Sequence, residues 1–369
     1  MNRSHLRWGI LGAANVAHKN WRAIRLAGNA TVTAVASRNP ARAREFIDRC
    51  QAEVPFPEIP IALDSYEALI HSPDVDAVYC PLPTGIRKEW VIRAAQAGKH
   101  VICEKPCAPS AFDLQEMIEA CRKNGVQFMD GVMFVHSRRI ARALEVIGDG
   151  TSVGDVRRIT TQFSFLADDD FAASNIRGRL DLEPQGCAGD LGWYCIRLAL
   201  VVLPGQMPIE VSARCHSRVA GAPHGAAGPA DLTAELLFPG GVTAGFHCSF
   251  RTGLQQWAHV SGTKGSLYMP DYVLPHVGTE LGFEMAQPEF HVNGCEFRME
   301  PNDRRFTVPE HSHGAEIAPE SNLFRNFSAQ ALSRHLNPAW PEIALKTQQI
   351  LDACMASADH DGQPQRLPS

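Results

Sequence analysis

No C-x-x-C pair occurs anywhere in the 369 residues, and no apolar run approaches the roughly 20 residues that cross a bilayer. No Lys/Arg-rich block appears either, and a formal net charge of -5 leaves no basic surplus for releasing counterions from nucleic acid or an acidic membrane. The opening MNRSHLRWGIL holds no apolar stretch ending in a cleavage-like site. Repeats and long low-complexity tracts are absent from the sequence as well. These absences exclude a disulfide framework, a helical membrane anchor and a nucleic-acid module, and point to a cytoplasmic protein whose partner is a small molecule. The 11 cysteines, odd in number and set in apolar segments, read as reduced core residues.

The length exceeds what one hydrophobic core usually serves, so two domains are expected. From residue 6 to about 130, the runs LRWGIL, TVTAVA, DAVYC, HVIC and VQFM are strand-length and apolar throughout. They alternate with helical patterns at 40–51, 86–97 and 110–123, which predicts a parallel sheet covered on both faces. After about residue 150, DVRRITTQFSF, DLTAELLF and VTAGFHCSF alternate apolar with polar positions, the pattern of an open, largely antiparallel sheet. Turns are expected at Pro239-Gly240-Gly241 and Thr263-Lys264-Gly265, helices at about 189–202 and 341–356, and a surface loop at 220–230. The fold class is therefore an α/β domain over 1–130 followed by an α+β domain over 131–369.

The first strand runs into Gly12-Ala13-Ala14-Asn15-Val16-Ala17 and then a helical pattern. This is G-x-G-x-x-G with alanine at the later glycine positions, in the strand-turn-helix setting that gives the motif its meaning. Gly12 suits the tight turn, Ala14 lets the backbone approach a pyrophosphate at the helix N-terminus, and Ala17 packs helix on strand. After the second strand, where NAD-binding folds usually place an acid for the ribose hydroxyl, stands Ser37-Arg38-Asn39-Pro40, with Arg42 and Arg44 beyond. A guanidinium pairs with a 2'-phosphate, so NADP(H) is favoured over NAD(H). The alternative is a pair of solvated arginines opening a surface helix.

At the carboxyl edge of HVIC stands Glu104-Lys105-Pro106, where ligands sit in open α/β folds. Pro106 restrains the backbone of Lys105 and permits a cis bond. In the second domain, Asp190, Tyr194 and Arg197 fall at i, i+4 and i+7 and share a helix face, while Leu191, Cys195, Leu198 and Val202 share another. Either Tyr194 is a proton carrier or it is a packing tyrosine tied to Arg197. A tyrosine of ordinary pKa about 10 is a poor base at neutral pH, and an ammonium within about 4–6 Å lowers such a pKa by about 1–3 units. Lys105 is the candidate for that charge. Asp190 is expected to orient Lys105 or a substrate hydroxyl, the alternative being a plain charge role at the helix start, and Arg177 either contacts substrate oxygens or is a surface residue. His311 and His313, at i, i+2 with no supporting acids, do not suggest a metal site.

GILGAANVA, AGKHVICEKP and GDLGWYCIR together resemble the Gfo/Idh/MocA oxidoreductase family, and the similarity in layout extends over nearly the whole chain. The tyrosine at 194 is similar to the branch containing glucose-fructose oxidoreductase, xylose dehydrogenase and dimeric dihydrodiol dehydrogenase. VQFMDGVMFVHS and GDLGWYCIR look like members known from plants. The resemblance implies a Rossmann domain, an open-faced sheet domain, a cis bond before Pro106, and a homodimer or homotetramer formed through the open sheet. It implies catalysis by Lys105 and Tyr194, to which the reading of the helix above adds Asp190. Cofactor contacts are expected at Gly12, Ala13, Ala14, Asn15, Val16, Ser37, Arg38, Arg42, Pro81, Leu82, Pro83, Glu104 and Lys105. Substrate contacts are expected at Arg177, Trp193 and Tyr194, and none of these residues is assigned to a metal. One departure stands out: many members carry a His after the fourth strand, and Arg87 takes its place.

The expected activity is hydride transfer between NADP(H) and a carbinol or carbonyl carbon of a sugar, ketosugar or cyclic diol. A nucleotide-requiring glycosidase and a non-catalytic NADP-sensing regulator share the fold, which by itself does not separate the three. A regulator has no need of Lys105 and Tyr194 together.

Overall fold

The structure is a computed structural model and describes residues 4–168, 171, 175–219 and 228–367. The first sheet is built from β1 (Leu6–Leu11), β2 (Ala30–Ala36), β3 (Ile61–Leu63), β4 (Ala77–Cys80), β5 (His100–Cys103) and β6 (Phe128–Asp130). Its order is β3-β2-β1-β4-β5-β6 and all its pairs are parallel, the arrangement of a Rossmann domain. The four residues of β4 are all buried, because helices cover both faces and leave the strand no solvent side. The short strand β3 has no counterpart among the apolar runs; it is three residues long and only partly buried.

The connecting helices are α1 (Asn15–Leu26), α2 (Pro40–Glu53), α3 (Tyr66–Ile70), α4 (Thr84–Gln96) and α5 (Ala111–Lys123). Asn39, Ser65 and Ser110 cap α2, α3 and α5 by accepting from backbone N–H groups, as short polar side chains do at helix starts. α1 has no side-chain cap and no acid in its first turn. The start of α4 is capped from the second domain: Glu183 accepts from Thr84 N at 3.1 Å and from Thr84 Oγ1 at 2.7 Å.

Beyond α6 (Arg138–Gly148) lie β7 (Val156–Leu166), α7 (Trp193–Val202), β8 (Glu210–Arg218), β9 (Pro229–Leu237), β10 (Thr243–Ser249), β11 (Arg251–Gln255), β12 (Ala258–Gly262), β13 (Ser266–Met269) and β14 (Glu280–Ala286). They are followed by β15 (Glu289–Asn293), β16 (Glu296–Glu300), β17 (Asp303–Pro309), α8 (Pro319–Ser333), α9 (Ala339–Asp359) and β18 (Gln365–Arg366). The large sheet runs β17-β14-β13-β12-β7-β10-β9-β8-β18, with β11 beside β7. Its pairs are antiparallel except β7 with β10. Both expected hairpin turns join antiparallel neighbours, β9 to β10 and β12 to β13. The expected loop at 220–230 lies, for residues 220–227, outside the described residues.

α7 packs against β7, β10 and α9, so nearly all its residues are buried. The stretch after residue 131 does not all belong with the second sheet. α8 returns to the first domain, where Trp8 meets Phe324 and Phe327 at ring-centroid distances of 5.2 and 5.3 Å and its indole N–H donates to Ser328. No helix among the described residues is long and apolar enough to cross a membrane. All 11 cysteines are free, nine of them buried.

Candidate active site

A cavity of about 190 Å³ opens where the carboxyl edge of the first sheet faces the second domain. The β1-α1 turn and the β4 and β5 ends form its floor. Gly12 has φ +112°, and a Cβ there would stand 3.1 Å from the Leu82 side chain, so the turn takes glycine for both conformation and space. The free N-terminus of α1, with Asn15 and Val16 exposed, gathers unpaired N–H groups and the positive end of a helix dipole. This is a cradle for an anion such as a dinucleotide pyrophosphate. Along the edge, Arg38, Tyr66 and Lys88 line a cavity of about 700 Å³ together with the acids Asp64, Glu67 and Glu89; Arg38 and Arg42 are exposed, and no acid stands directly after β2. Ser37, buried, accepts from the Asn39 N–H at 3.3 Å and holds that turn in place. The donor set at both ends fits a dinucleotide with a phosphorylated ribose.

The peptide bond between Lys105 and Pro106 is cis. Lys105 Nζ donates to the Asp190 backbone carbonyl at 2.8 Å and to its Oδ1 at 2.7 Å, and lies 4.9 Å from the centroid of the Tyr194 ring. Asp190 sits in a π-helical turn, Ala188–Gly192, that leads into α7. Such turns shift the backbone ladder and recur at functional sites. The carboxylate of Asp190 also accepts two bonds from Arg177, at 2.7 and 2.9 Å. One buried anion thus holds two cations. Burial pushes the Asp190 carboxyl up, but Lys105 and Arg177 outweigh it and hold its pKa well below the usual carboxylate range.

Tyr194 departs from expectation. Burial raises its phenol, Lys105 pulls it down, and Glu104 and Asp190 push it up again, leaving it at about 12 instead of below 10. Desolvation of the anion wins because the ring is 7% exposed among Phe134 and Phe163 and the lysine charge is already shared with Asp190. Burial lowers the Lys105 ammonium, and Asp190 and Tyr194 more than offset this, so its pKa is raised and the cation persists.

Glu104 lines the cavity, and its Oε1 accepts from the Tyr79 hydroxyl at 2.7 Å and from Asn20 at 3.4 Å. Pro81 and Leu82 line the same floor, and Pro83 precedes α4. Arg87, buried, donates to the carbonyl oxygens of Leu82, Glu104 and Pro106. It therefore staples the β4 loop to the Lys105 loop at the edge of the cavity.

Two expectations fail. Trp193 has no exposed surface and donates to Asp130 at 3.1 Å, so it is a core residue and not a substrate contact. One residue along a helix turns the side chain by about 100°, which separates it from its neighbour Tyr194. Arg197 does not share the Tyr194 face: it forms a buried pair with Asp130 at 2.6 Å and donates to Thr347 of α9. Arg177 does line the cavity, but its guanidinium is engaged with Asp190. Glu183, Asn20 and Tyr79 escaped the sequence analysis, since their partners lie 99, 84 and 25 residues away and no local motif marks them. Of the two histidines considered earlier, His313 bonds its neighbour Ser312 at 3.0 Å. Glu289, His291 and Glu300 meet on the exposed β15-β16 hairpin and do not line the cavity, and Asn302 and Arg298 already engage the two acids.

Comparison with known proteins agrees with this geometry. Residues 6–132 match the oxidoreductase family model with an NAD-binding Rossmann fold, and residues 140–268 match the GFO/IDH/MocA C-terminal domain. The chain is 32% identical over 291 residues to trans-1,2-dihydrobenzene-1,2-diol dehydrogenase of Mus musculus, covering 77% of this chain and 80% of that protein. It is 32% identical over 262 residues to D-xylose 1-dehydrogenase (NADP(+)) 2 of Haloferax volcanii, covering 71% and 75%. In fold it is similar to the aldose-aldose oxidoreductase of Caulobacter crescentus complexed with glycerol, with a TM-score of 0.80, 24% identity, and 98% and 100% of the two chains covered. With both domain types matched in order and relatives of this identity spanning most of the chain, the protein belongs to the Gfo/Idh/MocA oxidoreductase family.

Proposed function

We propose that this protein is an NADP(H)-dependent oxidoreductase acting on a carbinol or carbonyl carbon of a sugar, ketosugar or cyclic diol, with Tyr194 as proton carrier. The observation that carries the reading is the Lys105 ammonium, fixed twice by Asp190, over the ring of a buried Tyr194 at the mouth of a nucleotide cradle. The relatives named for NADP, xylose and dihydrodiols support the same assignment. Gly12, Ala13, Ala14, Asn15 and Val16 would hold the pyrophosphate, and Ser37, Arg38 and Arg42 the ribose phosphate. Pro81, Leu82, Pro83 and Glu104 would border the nicotinamide end. Held by these residues, NADP(H) would supply or accept the hydride.

In reduction, Tyr194, a phenol well below its pKa of about 12, gives its proton to the substrate oxygen, and Lys105 stabilises the phenolate left behind. In oxidation the same oxygen takes the hydroxyl proton. Asp190 positions Lys105, and Arg177 presents whatever edge Asp190 leaves free to substrate oxygens. The fully assembled Lys105–Tyr194 pair favours redox chemistry over a purely regulatory role.

The domain division falls near residue 130, with 319–333 docked back on the Rossmann layer. A homodimer or homotetramer through the outer face of the large sheet and a reducing, cytoplasmic setting complete the proposal; the buried free cysteines support the latter. The test is deuteride transfer. NADPH deuterated at C4 is incubated with ketosugars and cyclic ketones, and product mass is measured. Incorporation of one deuterium per product supports the reading. Bond cleavage in glycosides without net oxidation or reduction, and no deuterium in any product, would establish the glycosidase alternative instead.

A further inference from the structure

Beside the catalytic cavity lies a second chamber of about 410 Å³, and Lys19 of α1, Met133 and Glu320 of α8 line both. Glu320 is 7% exposed, and its Oε2 is buried without a hydrogen-bond partner. A carboxylate oxygen with so little exposed surface and no donor is costly, and native structures seldom leave one without a partner. Lys19 is exposed and forms no ion pair with any described residue, Glu320 included. The neighbouring Arg22 faces Glu53 at 3.7 Å, which leaves Lys19 without an ion pair and Glu320 Oε2 without a donor at the wall the two cavities share.

An anionic ligand would meet Glu320 and a cationic one Lys19. A neutral polyol satisfies both, since each hydroxyl donates to a carboxylate and accepts from an ammonium. Beyond the pair, Val273, Leu274 and Pro275 present an apolar wall suited to the C–H face of a sugar ring. The chamber, at about 410 Å³, lies by itself within the roughly 300–1,000 Å³ of ordinary small-molecule sites.

We propose that the chamber is a second-ring subsite, and that the substrate is a neutral disaccharide or glycoside. Its reacting ring lies against Tyr194 and its other ring bonds Glu320 and Lys19. This inference rests on the oxidoreductase reading above and narrows its substrate class.

The test uses the full-length enzyme saturated with NADP+. Cellobiose, maltose and lactose are compared with glucose, glucose 6-phosphate and glucosamine, by cofactor reduction and by saturation-transfer NMR, which reads binding without turnover. At least one disaccharide should exceed glucose in kcat/KM, with saturation strong on both rings. Glu320→Gln should cut the disaccharide-to-glucose ratio about 10- to 100-fold, the share carried by a hydrogen bond to a charged group. Leu274→Trp, which adds bulk to the chamber's apolar lining, should lower the same ratio. A ratio unmoved by both variants, or preference for the phosphate or the amine, overturns the subsite. Binding of both rings that Glu320→Gln abolishes, without cofactor reduction by any sugar, upholds the subsite and overturns the redox reading. Absence of both binding and turnover overturns the subsite.

Discussion

Asp190 grips Lys105 twice, through its backbone carbonyl at 2.8 Å and its carboxylate at 2.7 Å, from the π-helical turn four residues ahead of Tyr194. The grip fixes the ammonium beside the phenol, but it also spends part of the cation's field on the carboxylate. The balance keeps the tyrosine firmly protonated in the absence of cofactor, so the proton needed by a carbonyl is in place.

Tyr194→Phe keeps the ring and its contacts with Phe134 and Phe163 while removing the hydroxyl. Turnover should fall by about 100- to 10,000-fold with NADPH affinity unchanged, and stability by no more than about 0.5–1.5 kcal/mol. Steady-state kinetics with a cofactor titration decides the matter: near wild-type turnover would remove the proposed mechanism.

The pH profiles carry a sign. With the phenol at about 12, reduction should be level between about pH 6 and 9, while oxidation climbs as the solution becomes more alkaline. Lys105 lowers the Tyr194 pKa and Asp190 raises it. Lys105→Met should therefore move the oxidative limb to higher pH and Asp190→Asn to lower pH, although both lose turnover. Shifts of one sign in the two variants would contradict the charge balance described above.

Arg38→Ala should weaken NADPH binding by about 10- to 100-fold and leave NADH little changed, because only the phosphate contact is lost. Fluorescence titration of both cofactors reads the difference directly. Equal losses for the two would place Arg38 elsewhere.

The buried pair of Asp130 and Arg197 joins the end of β6 to α7, with Thr347 of α9 as a third member. Removing one partner strands the other charge, so Arg197→Met should cost about 3–5 kcal/mol in denaturant unfolding. Activity per folded molecule should persist. Loss of turnover without loss of stability would return Arg197 to the catalytic face.

The sequence by itself determined the parallel sheet, since strands covered on both faces must be apolar throughout, as DAVYC and HVIC are. It also determined the β1-α1 turn, where Gly12 answers a local demand of backbone and space, and the placing of Lys105 at a strand's carboxyl edge. The alternation in DLTAELLF likewise marked a sheet with one wet face. Only tertiary structure decided which neighbours on α7 meet the cleft: Tyr194 does, whereas Trp193 and Arg197 turn to Asp130. It also decided that Arg177 binds Asp190, that Glu183 caps α4, and that α8 returns to the first sheet. The direction of the Tyr194 pKa belongs with these. It depends on how completely the phenol is withdrawn from water and on how Asp190, 85 residues from Lys105, divides the lysine's charge. Backbone preference and alternation act between near neighbours and can be read along the chain, whereas desolvation and charge pairing act between groups that only folding brings together.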